Sequence, residues 1–377
     1  MYKKEVQHIE KDVNILFERA LSERVFFGAA AGILIDRLGK RENYTFMTGC
    51  TDQTQKFKVT KQTFYDLASL TKPLVTTLSI LVLVEMGKID FDTPLNEALQ
   101  FKISPQKSDI TIGDLLQHKS GLPAHRPYFV YLNAIDGFEK RKEKIIEYIL
   151  EEPLEHQTGI VSVYSDLGFI LLGYIVERIA SESLEKFWLK NIANPLLLQN
   201  RLVFQPTLKN ISAKKIAATV ESHWTRKKML VGEVHDENCR SLGGISGHAG
   251  LFGTIEGVMA LCGVLLRIWR GEKILPNCSP LLLKKAFARK ANMGWCYGFD
   301  TPSEEKSSSG HFFSKNTVGH LGFTGTSFWI DLSRGIVIVL LTNRVHPSRS
   351  NEKIKHFRPI FHDTLMEKLV ARINKKI

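Results

Sequence analysis

At 377 residues, 44% hydrophobic and 24% charged, the chain has a globular composition and the length for a large core with two lobes. Its net charge of +12 is spread over short clusters such as Lys140-Arg141-Lys142, Arg226-Lys227-Lys228 and Lys375-Lys376. With no aromatic-interleaved stripe or nucleic-acid motif, this excludes a dedicated nucleic-acid face and reads as a solvated basic surface.

The N-terminal "MYKKEVQHIEKDVNILFERAL" reads as an amphipathic helix. It lacks the apolar core of a secretory signal, so a cytoplasmic protein is expected. Five well-separated cysteines without a Cys-x-x-Cys pair argue against a disulfide framework or structural zinc and agree with a reducing compartment. "GAAAGILIDR" and "NYTFMTGC" form a hairpin joined by "LGKRE". The apolar run "PLVTTLSILVLVEMG" is too short and threonine-rich to span a bilayer, so no membrane segment is expected. From residue 88 to 230 the pattern is mainly helical. "TIGDLLQHKSGLP" is a short helix stopped by Gly121 and Pro123, followed by "FEKRKEKIIEYILEE" and the long stretch beginning "LGFILLGYIVERIA". "PSEEKSSSG" is a surface loop. "SFWIDL" and "GIVIVLLTN" form a second hairpin across "SRG". The last stretch is helical, with Pro359 expected to break or kink its early part. The expected fold is α/β (α+β): an antiparallel sheet from residues 1–87 and 231–377, flanked by terminal helices, with 88–230 inserted as a mostly helical region and the active site in the cleft between.

Ser-x-x-Lys occurs six times, beginning at Ser69, Ser104, Ser183, Ser212, Ser303 and Ser350. Only Ser69-Leu70-Thr71-Lys72 opens a long apolar helix. Pro73, tolerated only in a first turn, pins the start of that helix near Ser69, and Gly87 ends it. Ser69 and Lys72 then share one face at the positive end of the helix dipole, beside free backbone N–H groups. A lysine buried there would have its charge disfavoured and could accept a proton near neutral pH. The bland alternative is a capping serine with a snorkelling lysine. Two further segments bear on the choice. Tyr164-Ser165-Asp166 stands in a turn before an apolar helix that Asp166 could simply cap. His320-Leu321-Gly322 stands just ahead of the "SFWIDL" strand.

In this order the three motifs resemble those of the penicillin-recognising serine hydrolases: class C β-lactamases, DD-peptidases and their esterase relatives. That family carries Ser-x-x-Lys, then Tyr-x-Asn, then Lys-Thr-Gly or His-x-Gly. "FFGAAAGILI", "LLQHKSGLP", "YSDLGFILLG" and "IVIVLLTNR" also look similar. The resemblance implies a β-lactamase/transpeptidase-like fold and an acyl-enzyme on Ser69. It implies proton traffic shared by Lys72 and Tyr164, with the phenol as base for deacylation. The N–H groups of Ser69 and Phe323 would form the oxyanion hole. His320, Gly322 and Asp166 would border the substrate. No metal or cofactor is implied. Asp166 replaces the usual asparagine and could pair with Lys72 or with a substrate donor. His320 replaces lysine and removes a fixed positive charge. Both departures weaken the case for β-lactamase activity and favour cell-wall-derived peptides or amides (D-alanyl peptidase or muramyl amidase type). A carboxylesterase is the alternative, and a non-catalytic peptidoglycan-fragment sensor or scaffold the alternative of another class. The expected partner is a small molecule or peptide; the oligomeric state is open.

"VHDENCRSLGGISGHAGLFGT" carries neither a phosphate-loop pattern nor a G-x-S-x-G elbow. His235, Asp236 and His248 lack a helical metal-ligand spacing. His248-Ala249-Gly250 rivals His320 for the third motif. His320 is preferred because it leads directly into a strand and hairpin. The segment looks similar to one in the family's peptidoglycan-directed branch of muramoyl-L-alanine amidases and penicillin-binding protein 4B relatives.

Overall fold

The computed structural model describes the whole chain except residues 1, 38, 100, 223–227, 290–293 and 375–377. The basic cluster Lys375-Lys376, Arg226 and Lys227 therefore lie outside the described residues.

Helix α1 (Tyr2–Ser22) buries Val13, Phe17 and Ala20, a helical stripe that faces inward. Strands β1 (Gly28–Arg37) and β2 (Lys40–Gly49) pair antiparallel from Gly28↔Gly49 to Arg37↔Lys40. The connection is thus tighter than expected, since Arg41 and Glu42 of "LGKRE" belong to the ladder. The apolar run then forms a short turn over Ala68–Leu70, a wide turn over Lys72–Thr77, and helix α2 (Leu78–Glu85). Gly87 follows with φ of +66°, the left-handed stop expected there. The span Ala68–Glu85 has the length and apolarity of a membrane helix, but 83% of it is buried inside the fold.

Helices α3 (Ile112–Leu116), α4 (Phe138–Glu151) and α5 (Asp166–Ala180) follow. Helix α3 stops earlier than expected: His118, at φ +58°, is the left-handed residue that ends it, ahead of Gly121. The long stretch after Asp166 is also interrupted, by left-handed Ser181. The region 88–230 is not helical throughout. Leu202–Phe204 forms a strand on Leu251–Gly253, which pairs in turn with Tyr65–Asp66.

Helix α6 (Glu237–Ser241) and helix α7 (Ile255–Trp269) precede strands β3 (Thr317–Leu321), β4 (Ser327–Asp331) and β5 (Ile336–Thr342). The last described helix is α8 (Ile354–Asn374), which runs through Pro359 without a break, one of the two effects expected of that proline. The five strands form one antiparallel sheet in the order β2-β1-β5-β4-β3. His320 and Leu321 lie inside edge strand β3 rather than ahead of a strand.

Alternation along β1 and β5 builds two layers. Ala29, Ala31, Ile33, Ile336, Ile338 and Leu340 face α1 and α8, where the Phe17 and Phe361 rings stack 6.0 Å apart. Ala30, Leu34, Val337, Val339 and Leu341 face α7 and join the large core that continues through α2, α3 and α5. Gly32 lets Met259 pack directly on the strand, since a Cβ would lie 2.0 Å from the methionine sulfur and the side chain would have to move. One continuous core therefore contains residues of the sheet and of the helical region.

Candidate active site

Asp66, ending the short strand before Ser69, is 2% exposed and accepts from Ala68 N–H at 2.8 Å and from His235 N–H at 2.6 Å. Burial raises its carboxyl to about 6, against those two bonds. The anchor holds Ala68 at φ +48°, a left-handed conformation rare for alanine, immediately before the serine. The turn over Ala68–Leu70 follows, and Pro73, which has no N–H to donate, sits in the wide turn over Lys72–Thr77. Such wide turns are rare and recur at functional sites. Ser69, in the first turn, retains an N–H with no partner inside the helix.

Lys72 is fully buried and uses all three donors: Ser69 Oγ at 3.1 Å, Asp166 Oδ1 at 2.7 Å and the His248 carbonyl at 3.2 Å. Burial works against its charge, but Asp166, with a lesser contribution from Tyr164, raises its pKa above the ordinary lysine value. Burial would likewise raise the Asp166 pKa, but the Lys72 charge and a bond from His125 hold the carboxyl well below the usual range. The expectation of a neutral, proton-accepting lysine is therefore corrected: the pair is an ion pair, because the carboxylate reaches the ammonium directly. Nor is Asp166 the helix cap, a role taken by Ser165, whose Oγ accepts from Gly168 N–H.

Tyr164 lies with its ring centroid 4.8 Å from the Lys72 ammonium, and its hydroxyl feels the electrostatic influence of both Lys72 and Ser69. Burial raises the phenol, and Asp166 adds to this, against the charge of Lys72. The phenol is thus protonated at rest. Next to it, His320 is 1% exposed and donates from Nδ1 to the Leu321 carbonyl at 2.8 Å, leaving Nε2 as a lone pair. Burial, then the Lys72 charge, lowers this imidazole to about 3, so it is neutral.

The turn after β3 rests directly on the segment before Ser69. Thr324 Oγ1 donates to Asp66 O at 2.6 Å and Thr326 Oγ1 to Leu67 O at 3.1 Å. A Cβ on Gly322 would lie 2.7 Å from Leu67 O and 2.0 Å from Thr326 Oγ1, so only glycine permits the approach. Arg358 Nη2 donates to the carbonyls of Gly322 and Thr326, both at 2.8 Å, and Arg344 Nε donates to Phe323 O at 2.7 Å. A trans peptide directs its N–H opposite its C=O. Arg358 therefore turns the Phe323 N–H away from itself, and that N–H has no partner among the described residues.

These groups border a cavity of about 660 Å³, lined also by His125, His235, Trp295 and Arg349. The predicted residues Ser69, Tyr164, Asp166, His320, Gly322 and Phe323 all line it, with Lys72 buried behind. The rival His248 contributes its carbonyl to Lys72, while its ring is held between Ser246 Oγ at 2.9 Å and Asp236 Oδ1 at 2.8 Å. Among the described residues no group of three or more His, Cys, Asp or Glu side chains is placed to hold a metal ion. His118, His125, Trp295, Arg344 and Arg358 escaped sequence reasoning. Of these, His118 and Arg344 carried a signal, as parts of "LLQHKSGLP" and "IVIVLLTNR".

A family model described as beta-lactamase matches residues 15–359. An N-acetylmuramyl-L-alanine amidase of Bacillus subtilis (strain 168) is 34% identical over 310 residues, covering 77% of this chain and 70% of that protein. A putative D-alanyl-D-alanine carboxypeptidase of Salmonella typhi is 32% identical over 326 residues, covering 81% and 75%. The octameric penicillin-binding protein homologue from Pyrococcus abyssi superposes with a TM-score of 0.71 at 20% identity, covering 96% of this chain and 77% of that one. An antiparallel sheet flanked by terminal helices, matched over nearly its whole length, makes this chain a member of the beta-lactamase family and a serine hydrolase of the penicillin-binding-protein-like kind.

Proposed function

We propose that the protein hydrolyses an amide bond of cell-wall-derived peptides, of the muramyl-amide or D-alanyl type, through an acyl-enzyme on Ser69. The observation that carries the reading is the pairing of Lys72 with Asp166, which fixes the lysine as a cation against Ser69. Because the ammonium donates to Ser69 Oγ, the serine proton needs another acceptor, and the Tyr164 phenol, which lines the same cavity beside Lys72, takes that role. The substrate carbonyl oxygen sits between the N–H groups of Ser69 and Phe323. Ser69 Oγ attacks the carbonyl carbon and passes its proton to Tyr164. The phenol's own proton moves to the leaving nitrogen as the C–N bond breaks. In deacylation water gives its proton to Tyr164 and the phenol returns one to Ser69 Oγ. Tyr164 begins and ends neutral, and Lys72 remains a fixed charge.

The neutral His320 offers no positive charge for a substrate carboxylate, which disfavours lactams and, between the two peptide types, favours a muramyl amide over a D-alanyl terminus. The names of the amidase and carboxypeptidase relatives point to an amide or peptide substrate. The test is parallel digestion of purified muropeptides, p-nitrophenyl esters and nitrocefin, with products identified by mass spectrometry. Cleavage of a muropeptide amide that disappears in Ser69→Ala is expected. Turnover of esters alone would replace this reading with a carboxylesterase.

A further inference from the structure

We infer that His118 is the residue that holds Tyr164 in its catalytic place, an inference that rests on the acyl transfer proposed above. The stretch leading to Tyr164 has no regular secondary structure from residue 161 to 165. Its backbone is fixed instead from both sides of the tyrosine by one residue. The His118 carbonyl accepts from Val163 N–H at 2.8 Å, and its ring Nδ1 accepts from Ser165 N–H at 3.1 Å. The same ring lies 4.7 Å from the Tyr164 ring, while Trp295 packs edge-on against it at 4.6 Å. His118 thus touches the residue before the phenol, the residue after it, and the phenol ring itself.

This arrangement depends on the left-handed backbone at φ +58°. It lets one residue direct its carbonyl and its ring to positions two residues apart on the facing chain. Asparagine is the other side-chain-bearing acceptor that adopts this conformation readily. Because Nδ1 accepts a bond, the imidazole proton sits on Nε2, which is buried without a partner among the described residues. The ring must be neutral to do this, which also avoids a second charge beside Lys72. His118 does not line the cavity. It is a positioning residue, acting on substrate only through Tyr164.

Pre-steady-state kinetics of the full chain with an activated p-nitrophenyl ester test the assignment. In His118→Ala the burst amplitude should remain while steady-state turnover falls about 10- to 100-fold, the scale of a small misplacement of a catalytic group. KM should change by less than about threefold, and His118→Asn, which offers an oxygen where Nδ1 stood, should recover turnover to within about threefold of wild type. In a Tyr164→Phe background His118→Ala should cause no further loss, because its effect runs through the phenol. Full turnover in folded His118→Ala, or an undiminished loss on top of Tyr164→Phe, overturns the inference. Should His118→Ala not fold, His118→Gln, whose amide reaches the Nε2 and not the Nδ1 position, replaces it. Equal rates for His118→Asn and His118→Gln then overturn the inference. Ser69→Ala reports on the underlying chemistry separately, since a burst that survives it overturns acyl transfer on Ser69 and this inference with it.

Discussion

The five-stranded sheet and the crevice around Ser69 are built on opposite terms. In β1 and β5 successive side chains bury apolar surface on alternate faces, and no ionisable group interrupts β5. In the crevice Asp66, Lys72, His118, His235 and His320 are each at most 5% exposed, two backbone residues are left-handed without being glycine, and ring nitrogens of all three histidines lack partners among the described residues. Buried polar groups and strained backbone are unfavourable unless the surroundings compel them. The contrast teaches that the sheet supplies stability and the crevice consumes it in exchange for placed charges.

Four substitutions and one condition break or sharpen that contrast. The largest effect is expected from Ser69→Ala, which should abolish covalent labelling by a fluorophosphonate and reduce turnover by about 10³-fold or more while leaving thermal unfolding nearly unchanged. Intact-protein mass after labelling measures it. Asp166→Ala should be hard on both functions. It strands a buried lysine without its carboxylate, a loss of about 3–5 kcal/mol by urea unfolding. Asp166→Asn sharpens the point: with only burial acting on Lys72, its pKa should drop, and the acylation rate should acquire a rise with pH near neutrality that wild type lacks. On the other side of the comparison, Ile338→Ala in β5 should cost about 2–5 kcal/mol through its cavity, while labelling of the folded fraction stays at wild-type rate.

The most graded effect concerns acid. His118, His235, His320 and His362 all titrate below an ordinary histidine because they are buried, the last three at about 3, 3 and 4. Between about pH 6 and about pH 4.5 the unfolded chain binds protons that these native rings refuse, so stability falls as pH falls. Asp66 and Asp300, raised by burial to about 6 and 7, act in the opposite sense over the same window and offset about two of the four rings. The remaining slope is about 2–3 kcal/mol per pH unit. Urea midpoints across that range check the sign; a protein that gains stability on acidification would show that the crevice histidines are protonated in the native state.

Much of the sheet was legible because alternation is a local property of sequence. "GAAAGILIDR" and "GIVIVLLTN" each show their own pattern, and pairing the two required only that both be strands. The start of the apolar helix was also legible, since Pro73 restricts its own neighbourhood. What escaped depended on residues brought together from afar. The charge on Lys72 is decided by Asp166, 94 positions away; the sequence offered that pairing as one of two alternatives, and the dipole argument alone did not weigh it. Pro359 was expected to break or kink a helix that packing against β1 and β5 sustains, with Phe357 and Phe361 on either side of it buried on the sheet. His118 stood in a stretch similar to the family's, "LLQHKSGLP", but nothing there signalled its role, because that role consists in facing a chain segment about 45 residues later.

The pairing of β1 with β5 has a consequence for synthesis. Ala29 meets Thr342 and Ile35 meets Ile336, so the central pair of the sheet joins residues about three hundred positions apart. On a ribosome the β1–β2 hairpin emerges early, with the hydrogen-bonding edge of β1 unpaired until the C-terminal strands follow. The Phe323 N–H and the two arginines that hold its turn arrive in that same late segment. A chain cut short before residue 323 therefore lacks both its central strand pairing and one of its two oxyanion donors, so hydrolytic competence waits on this late segment.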